Sequence, residues 1–189
     1  DVGSGVESLQ CRAALPWAIA RVLVYCGVKT NYAEFCTVSG WSAAFRYDAA
    51  AAPGVKESFE VSPAGRSFAQ GVAVYGKRLE SFSWPQAKTE EERLFAARAA
   101  WEFIVTNIAA GRPVLCDYAQ SGVLYGYNEA LDDPAVYYDT PGPEFGAVRR
   151  SKFQEVYGRD RRGLAVVVEG DPAQEPKAVL AGVLANLLV

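Results

Sequence analysis

One stretch of this chain carries helix signals at both ends. Thr89-Glu90-Glu91-Glu92 forms a capping box, in which the Thr89 hydroxyl accepts from the Glu92 backbone N–H and the Glu92 carboxylate reaches back to the Thr89 N–H. Leu94, Phe95, Ala97, Ala100, Trp101, Ile104, Val105 and Ile108 follow at helical spacing, and Gly111 and Pro113 stop the helix. The acidic run Glu90 to Glu92 is thereby a helix start and nothing more. Three β-rich runs come next: Pro113 to Tyr118, Gly122 to Tyr127 and Ala135 to Asp139. Turn residues separate them, with Leu131-Asp132-Asp133-Pro134 before the third, so they are expected to be neighbouring antiparallel strands. Leu164 to Val168 adds a further strand. Helices first and strands second predict an α+β architecture.

The flanking segments are read the same way. Residues 1–7 are a glycine-rich lead-in. Trp17, Ile19, Ala20, Leu23 and Val24 predict a helical apolar face, capped by Gly27. Pro16 leaves two starts open: a helix that begins near Pro16, with Cys11 in the preceding loop, or one that begins at Cys11 and is kinked. A short helix is expected over Tyr32 to Cys36, then a loop through Gly40 to Tyr47 leading to a strand. Phe59-Glu60-Val61 and Gly71 to Tyr75 are expected as short strands. Pro176 opens a final helix with Val179, Leu180, Val183, Leu184, Leu187 and Leu188 on one side. At fourteen residues it is too short to span a membrane, so the stripe is read as a docking face for the domain, a partner or a second copy.

The 189 residues fit a single domain. With 19 basic and 22 acidic residues the net charge is −3, which excludes a broad basic surface for nucleic acid. The basic cluster Arg159-Asp160-Arg161-Arg162 is broken by an acid and reads as a solvated turn. Cys11, Cys26, Cys36 and Cys116 lack metal-ligand spacing and have no histidine to help them, so neither a metal nor another cofactor is expected. The last three sit in apolar settings, as buried thiols of a reducing, cytoplasmic compartment would; a Cys26–Cys36 bridge is the alternative. No signal peptide is visible. The chain opens on Asp1 rather than Met, which leaves room for a removed leader or an upstream domain.

Cys11 is the candidate nucleophile. A cysteine just ahead of a helix lies near amide donors and the positive end of the helix dipole, which favour a thiolate. The chain contains no histidine to serve as its base. Without an imidazolium, any thiolate at Cys11 would depend on the helix end and Arg12. The helix-end effect is only about 0.3–1 kcal/mol when exposed, under one pKa unit.

The order of these pieces resembles papain-like cysteine enzymes, in particular the bacterial group of double-glycine leader peptidases and butirosin-biosynthesis-type (BtrH-like) acyltransferases. Three stretches carry the likeness: Gln10-Cys11 with the following helix to Gly27, then Gly40 to Tyr47; Ala109 to Leu115, similar to a helix, Gly-x-Pro-Val, strand entry; and Gly122 to Asn128 followed by Val136 to Pro141. The likeness implies one papain-like domain over 1–189. Its parts would be a nucleophile-helix region (8–54), a second core helix (89–110), a sheet region (111–169) and a C-terminal docking helix (176–189). By position, Cys11 matches the nucleophile and Asp139 the carboxylate that orients the catalytic histidine. That histidine should stand at Gln120, six residues before Gly126. BtrH-like sequences carry another histidine where Gln10 stands, and Gln10 is also the one residue placed to serve as the family's oxyanion glutamine.

Glutamine has no titratable nitrogen, so Gln120 is suited to hydrogen bonding rather than to proton transfer. Asp139, ahead of Thr140-Pro141-Gly142, reads equally as an Asx-turn residue or as an inherited site carboxylate. Gln10, Gln120, Tyr125 and Tyr127 are the candidate ligand-binding residues, although core packing accounts for most of the sheet's tyrosines. The expected function is a catalytically degenerate cysteine-peptidase-like domain that binds a peptide or small polar ligand. One alternative is an active thiol peptidase or acyltransferase using Cys11 with an unidentified base. Another is a protein–protein interaction module or homodimer.

Overall fold

The computed structural model describes residues 14–39, 63–82, 87–118, 120–140, 146–157 and 163–171. Cys11, Gln10, the segment from Gly40 to Tyr47, the expected strand at Phe59 to Val61 and the C-terminal helix at 176–189 lie outside them. The elements in chain order are α1 (Ala14–Tyr25), α2 (Tyr32–Val38), α3 (Pro63–Ala73), β1 (Lys77–Phe82), α4 (Glu90–Ala109), β2 (Val114–Tyr118), β3 (Gln120–Asn128), β4 (Ala135–Asp139), β5 (Gly146–Arg149), α5 (Arg150–Tyr157) and β6 (Leu164–Glu169). The fold is α+β, with an open six-stranded sheet in the order β1-β6-β2-β3-β4-β5. Every neighbouring pair is antiparallel.

Helices cover both faces of the sheet. On one, Leu15, Ile19 and Leu23 of α1, Phe35 of α2 and Phe68 and Val72 of α3 pack with Leu115, Val123, Ala165 and Val167. On the other, Ala100, Trp101 and Ile104 of α4 and Phe153 of α5 pack with Val114, Cys116, Leu124, Val136, Leu164 and Val166. The alternation along β6 is thus apolar on both sides, as a strand between two helical layers requires. Trp101 meets Phe153 edge-on at 5.6 Å between ring centroids.

The helix ends follow the sequence closely. Thr89 and Glu92 form the capping box of α4. Its far end closes on Gly111, whose φ is 73°, with Arg112 N–H donating to Asn107 O and Gly111 N–H to Ile108 O. Gly27 does the same for α1, at φ 79°, through Val28 N–H to Leu23 O and Gly27 N–H to Val24 O. Both are the paired bonds of a Schellman motif, which a residue without Cβ accepts at no steric cost. Pro16 falls in the first turn of α1, where its missing N–H breaks no helical bond.

Several expectations are corrected. Gly71 to Ala73 is the end of α3 rather than a strand. A Cβ at Gly71 would stand 2.8 Å from the Ser39 Cβ and 3.2 Å from the Phe35 ring, so this glycine is where α3 closes on α2. The strand begins after the turn, at Lys77. Val24 is exposed and Ala18 and Val22 are buried, a rotation of the α1 apolar face. Leu94 and Phe95 are likewise exposed on the first turns of α4. Cys36 and Cys116 are buried and Cys26 is a free, half-buried thiol, so the Cys26–Cys36 bridge is not formed.

β5 and α5 were not anticipated, and their anchors are non-local. The Tyr138 ring lies where a Cβ at Gly146 would stand, so the aromatic side chain covers the glycine across the β4–β5 pair. Asp133, in the turn before β4, then caps α5: its carboxylate accepts from Ser151 N–H at 3.2 Å and Ser151 Oγ–H at 2.6 Å. Arg150 N–H donates to Pro134 O at 2.7 Å. Among the described residues, no helix is long and apolar enough to cross a membrane.

The Ser151 hydrogen bonds, with Arg149 and Arg150 nearby, hold the Asp133 carboxyl below its ordinary pKa. A carboxylate with a lowered folded-state pKa adds stability above its unfolded value of about 3.9, lost as pH falls through the folded value. Asp133→Ala is therefore expected to lower the Tm near neutral pH, with the gap to wild type closing on acidification in thermal scans followed by circular dichroism. A gap independent of pH would remove the charged cap from the account.

Candidate functional site

The site is built where α1 crosses the end of β4. In the antiparallel register Val123 stands directly opposite Asp139, and residues directly opposite share a face of the sheet. Val123 packs under α1. Asp139 is therefore on the α1 side, with its side chain only 5% exposed. Gly122 lets the strands close here: a Cβ on it would stand 2.7 Å from the Asp139 carbonyl oxygen.

The Asp139 carboxylate accepts from Arg21 Nε–H, 3.4 Å away across 118 residues of sequence. The Arg21 guanidinium also lies 5.8 Å from the centre of the Tyr25 ring, one turn further along α1. A buried carboxylate needs a partner because losing its hydration is costly, and a charged donor is the strongest one available. Arg21 meets that need while keeping 49% of its own side chain exposed. The pair thus joins a buried carboxylate of the sheet to a cation at the surface.

Of the expected site residues, Asp139, Gln120, Tyr125 and Tyr127 fall among the described residues. Asp139 is buried beside α1, and its partner is a guanidinium. Gln120 opens β3 at the turn from β2, paired with Tyr118 and three residues ahead of Val123, so it lies on the strand next to that of Asp139. Tyr125 is the extra residue of a β-bulge between Leu124 and Gly126, and is 41% exposed. A bulge re-aims the side chain it carries. Tyr127 is 36% exposed, opposite Val136. Gln10 and Cys11 lie outside the described residues. Arg21 and Tyr25 are additions; the cation expected from the sequence, Arg12 beside Cys11, lies outside the described residues. The signal available was a lone arginine inside the apolar run 16–27, one helical turn ahead of a tyrosine.

Other parts of the molecule offer less. A cavity of about 20 Å³, among Cys116, Gly122, Leu124, Tyr138 and Thr140, holds room for one water-sized sphere. It belongs to the α4–α5 side of the sheet, away from Arg21. Burial pushes the Cys26 thiol above its ordinary pKa, with Lys77 opposing and Glu169 reinforcing the shift, so it is not an activated nucleophile. Lys77 and Glu169 themselves form an ion pair across β1 and β6. Among the described residues no group of histidine, cysteine, aspartate or glutamate side chains is placed to hold a metal ion.

Comparison of the chain with protein-family models, with curated proteins and with solved structures finds no match.

Removing one partner of a buried charged contact leaves the other unsatisfied, at a cost of about 1–3 kcal/mol. Arg21→Gln is expected to destabilise the fold by about that amount. Adding Asp139→Asn should recover a large part of the loss, because a neutral amide is cheaper to bury than an unpaired carboxylate. Urea denaturation of the four proteins of the double-mutant cycle measures the coupling, and strictly additive losses would mean that the two side chains do not interact.

Proposed function

We propose that this chain is a catalytically degenerate cysteine-peptidase-like domain, papain-like in its organisation, that binds a peptide or small polar ligand. The observation that carries the proposal is the partner of Asp139. In the enzymes that the sequence resembles, the matching carboxylate orients the histidine that takes the thiol proton. Here the chain has no histidine, and the Asp139 carboxylate is engaged by Arg21. A guanidinium keeps its proton near neutral pH and so cannot act as a base there. The carboxylate thus holds a cation where a base would be needed, which supports recognition over turnover.

Arg21 and Tyr25 on α1 and Tyr125 at the bulge supply exposed or half-exposed groups for such recognition, one cation and two aromatic side chains with polar tips, while Tyr127, directly opposite Val136, stands on the α4–α5 face of the sheet. Tyrosines of this kind give contact area at low conformational cost, with a hydroxyl to hydrogen-bond a ligand. Gln120 and Gln10 are polar positions that can donate to a ligand without moving a proton.

The state of Cys11 tests the proposal. Its alkylation by iodoacetamide, followed against pH with the four cysteines resolved by peptide mapping, should be slow. The midpoint should lie at or above the free-thiol value of about 8.5. Rapid modification with a midpoint well below that value would mean an activated thiolate. The peptidase or acyltransferase alternative would then replace the binding one.

A further inference from the structure

We propose that Arg21 is a carboxylate-binding site, and that the ligand of this domain is an organic acid or a peptide bound through its C-terminal carboxylate. The inference rests on the binding function proposed above and names the chemistry of its ligand.

A surface arginine is ordinarily a mobile side chain with a large rotamer entropy to lose on binding. Arg21 is held from two directions. Asp139 takes its Nε–H at 3.4 Å, and the Tyr25 ring lies against the guanidinium at 5.8 Å. The holding group is itself costly, since Asp139 is a carboxylate only 5% exposed, placed by the β3–β4 register rather than by any local turn of α1. A planar guanidinium carries five N–H donors, and the contact with Asp139 uses the Nε–H. Among the described residues, Asp139 is the hydrogen-bond acceptor that Arg21 engages. Among the described residues no acceptor engages the Nη donors, which leaves them for a ligand on a side chain that remains half exposed.

The chemistry selects the ligand class. Paired, Nη-side donors of a fixed guanidinium match the two oxygens of a carboxylate, and a fork already held in place loses less entropy on binding. Asp139 already balances the charge of Arg21, so the site faces its ligand as a neutral pair with directed donors. A monoanion adds one negative charge to such a pair and a dianion adds two, which favours a carboxylate over a phosphate. The half-exposed setting makes the contact salt-sensitive and of modest strength.

The test follows the Arg21 Nε–Hε resonance by ¹H–¹⁵N NMR while the whole chain is titrated with acetate, N-acetyl-glycylglycine or N-acetyl-glycylglycine amide. The resonance is expected to shift saturably with the acids and not with the amide. Acetate and the dipeptide acid binding equally indicates a free organic acid as the ligand, and tighter binding of the dipeptide acid indicates a peptide C-terminus. Arg21→Lys keeps the charge and should also keep the fold, but removes the fork, so binding of the acids followed through backbone amides should weaken at least about fivefold. An Arg21 resonance that stays still, or one that moves equally with the amide, overturns the inference. Backbone amides separate the two failures. If they shift with acid and amide alike while Arg21 is silent, ligand binding stands without the carboxylate site; if nothing shifts, both fall.

Discussion

The double-sided burial of the central strands is the constraint on which the rest of the structure depends. Leu164 and Val166 belong to the core under α4 and α5, while Ala165 and Val167 belong to the core under α1, α2 and α3. Leu115 and Val114 divide in the same way on the neighbouring β2. A shift of register by one residue would send every one of these side chains to the opposite face. Because both faces are apolar, the hydrophobic effect alone does not choose between the two registers. The choice is made by size and shape, such as small Ala165 under the first helical layer, and by polar anchors at the strand ends, such as the Lys77–Glu169 pair.

That register carries outward to the site. β3 pairs with β2 on one side and β4 on the other, so the position of Val123 under α1 fixes Asp139 opposite it. Gly122 admits the close approach of the β4 backbone at that point. The carboxylate is therefore buried by the sheet's own geometry, and Arg21 answers the resulting charge from the helix above. The bulge at Tyr125 shifts the alternation by one residue beyond this point, and the extra tyrosine is exposed in the middle of a strand. Structure and chemistry meet in one pair of side chains: what satisfies a buried group also orients an exposed one.

The parts legible in the sequence are those whose causes are local. The capping box of α4, the Gly111 and Gly27 stops, the Asn31-capped helix α2 and the strands β2, β3, β4 and β6 all carry their signals within a few residues. What was missed depends on partners far away. β5 is only four residues long, and its Gly146 is covered by Tyr138 from the next strand. α5 takes its cap from Asp133, 18 residues before Ser151. β1 is a charged edge strand, with Arg78 and Glu80 exposed, so period-two apolar alternation was absent. The site shows the same division. Asp139 is singled out by its place in an ordered set of strands, while Arg21, 118 residues away, cannot be paired with it from spacing.

The central proposal is that the chain binds a ligand and carries out no thiol chemistry. It is tested most directly by turnover of a peptide p-nitroanilide ending in Gly-Gly, compared between the wild-type chain and Cys11→Ala across a range of pH. The account predicts equal rates for the two proteins, both at the level of the uncatalysed reaction. A wild-type rate above background that is lost in Cys11→Ala would contradict it, and would mean that a base other than histidine serves Cys11.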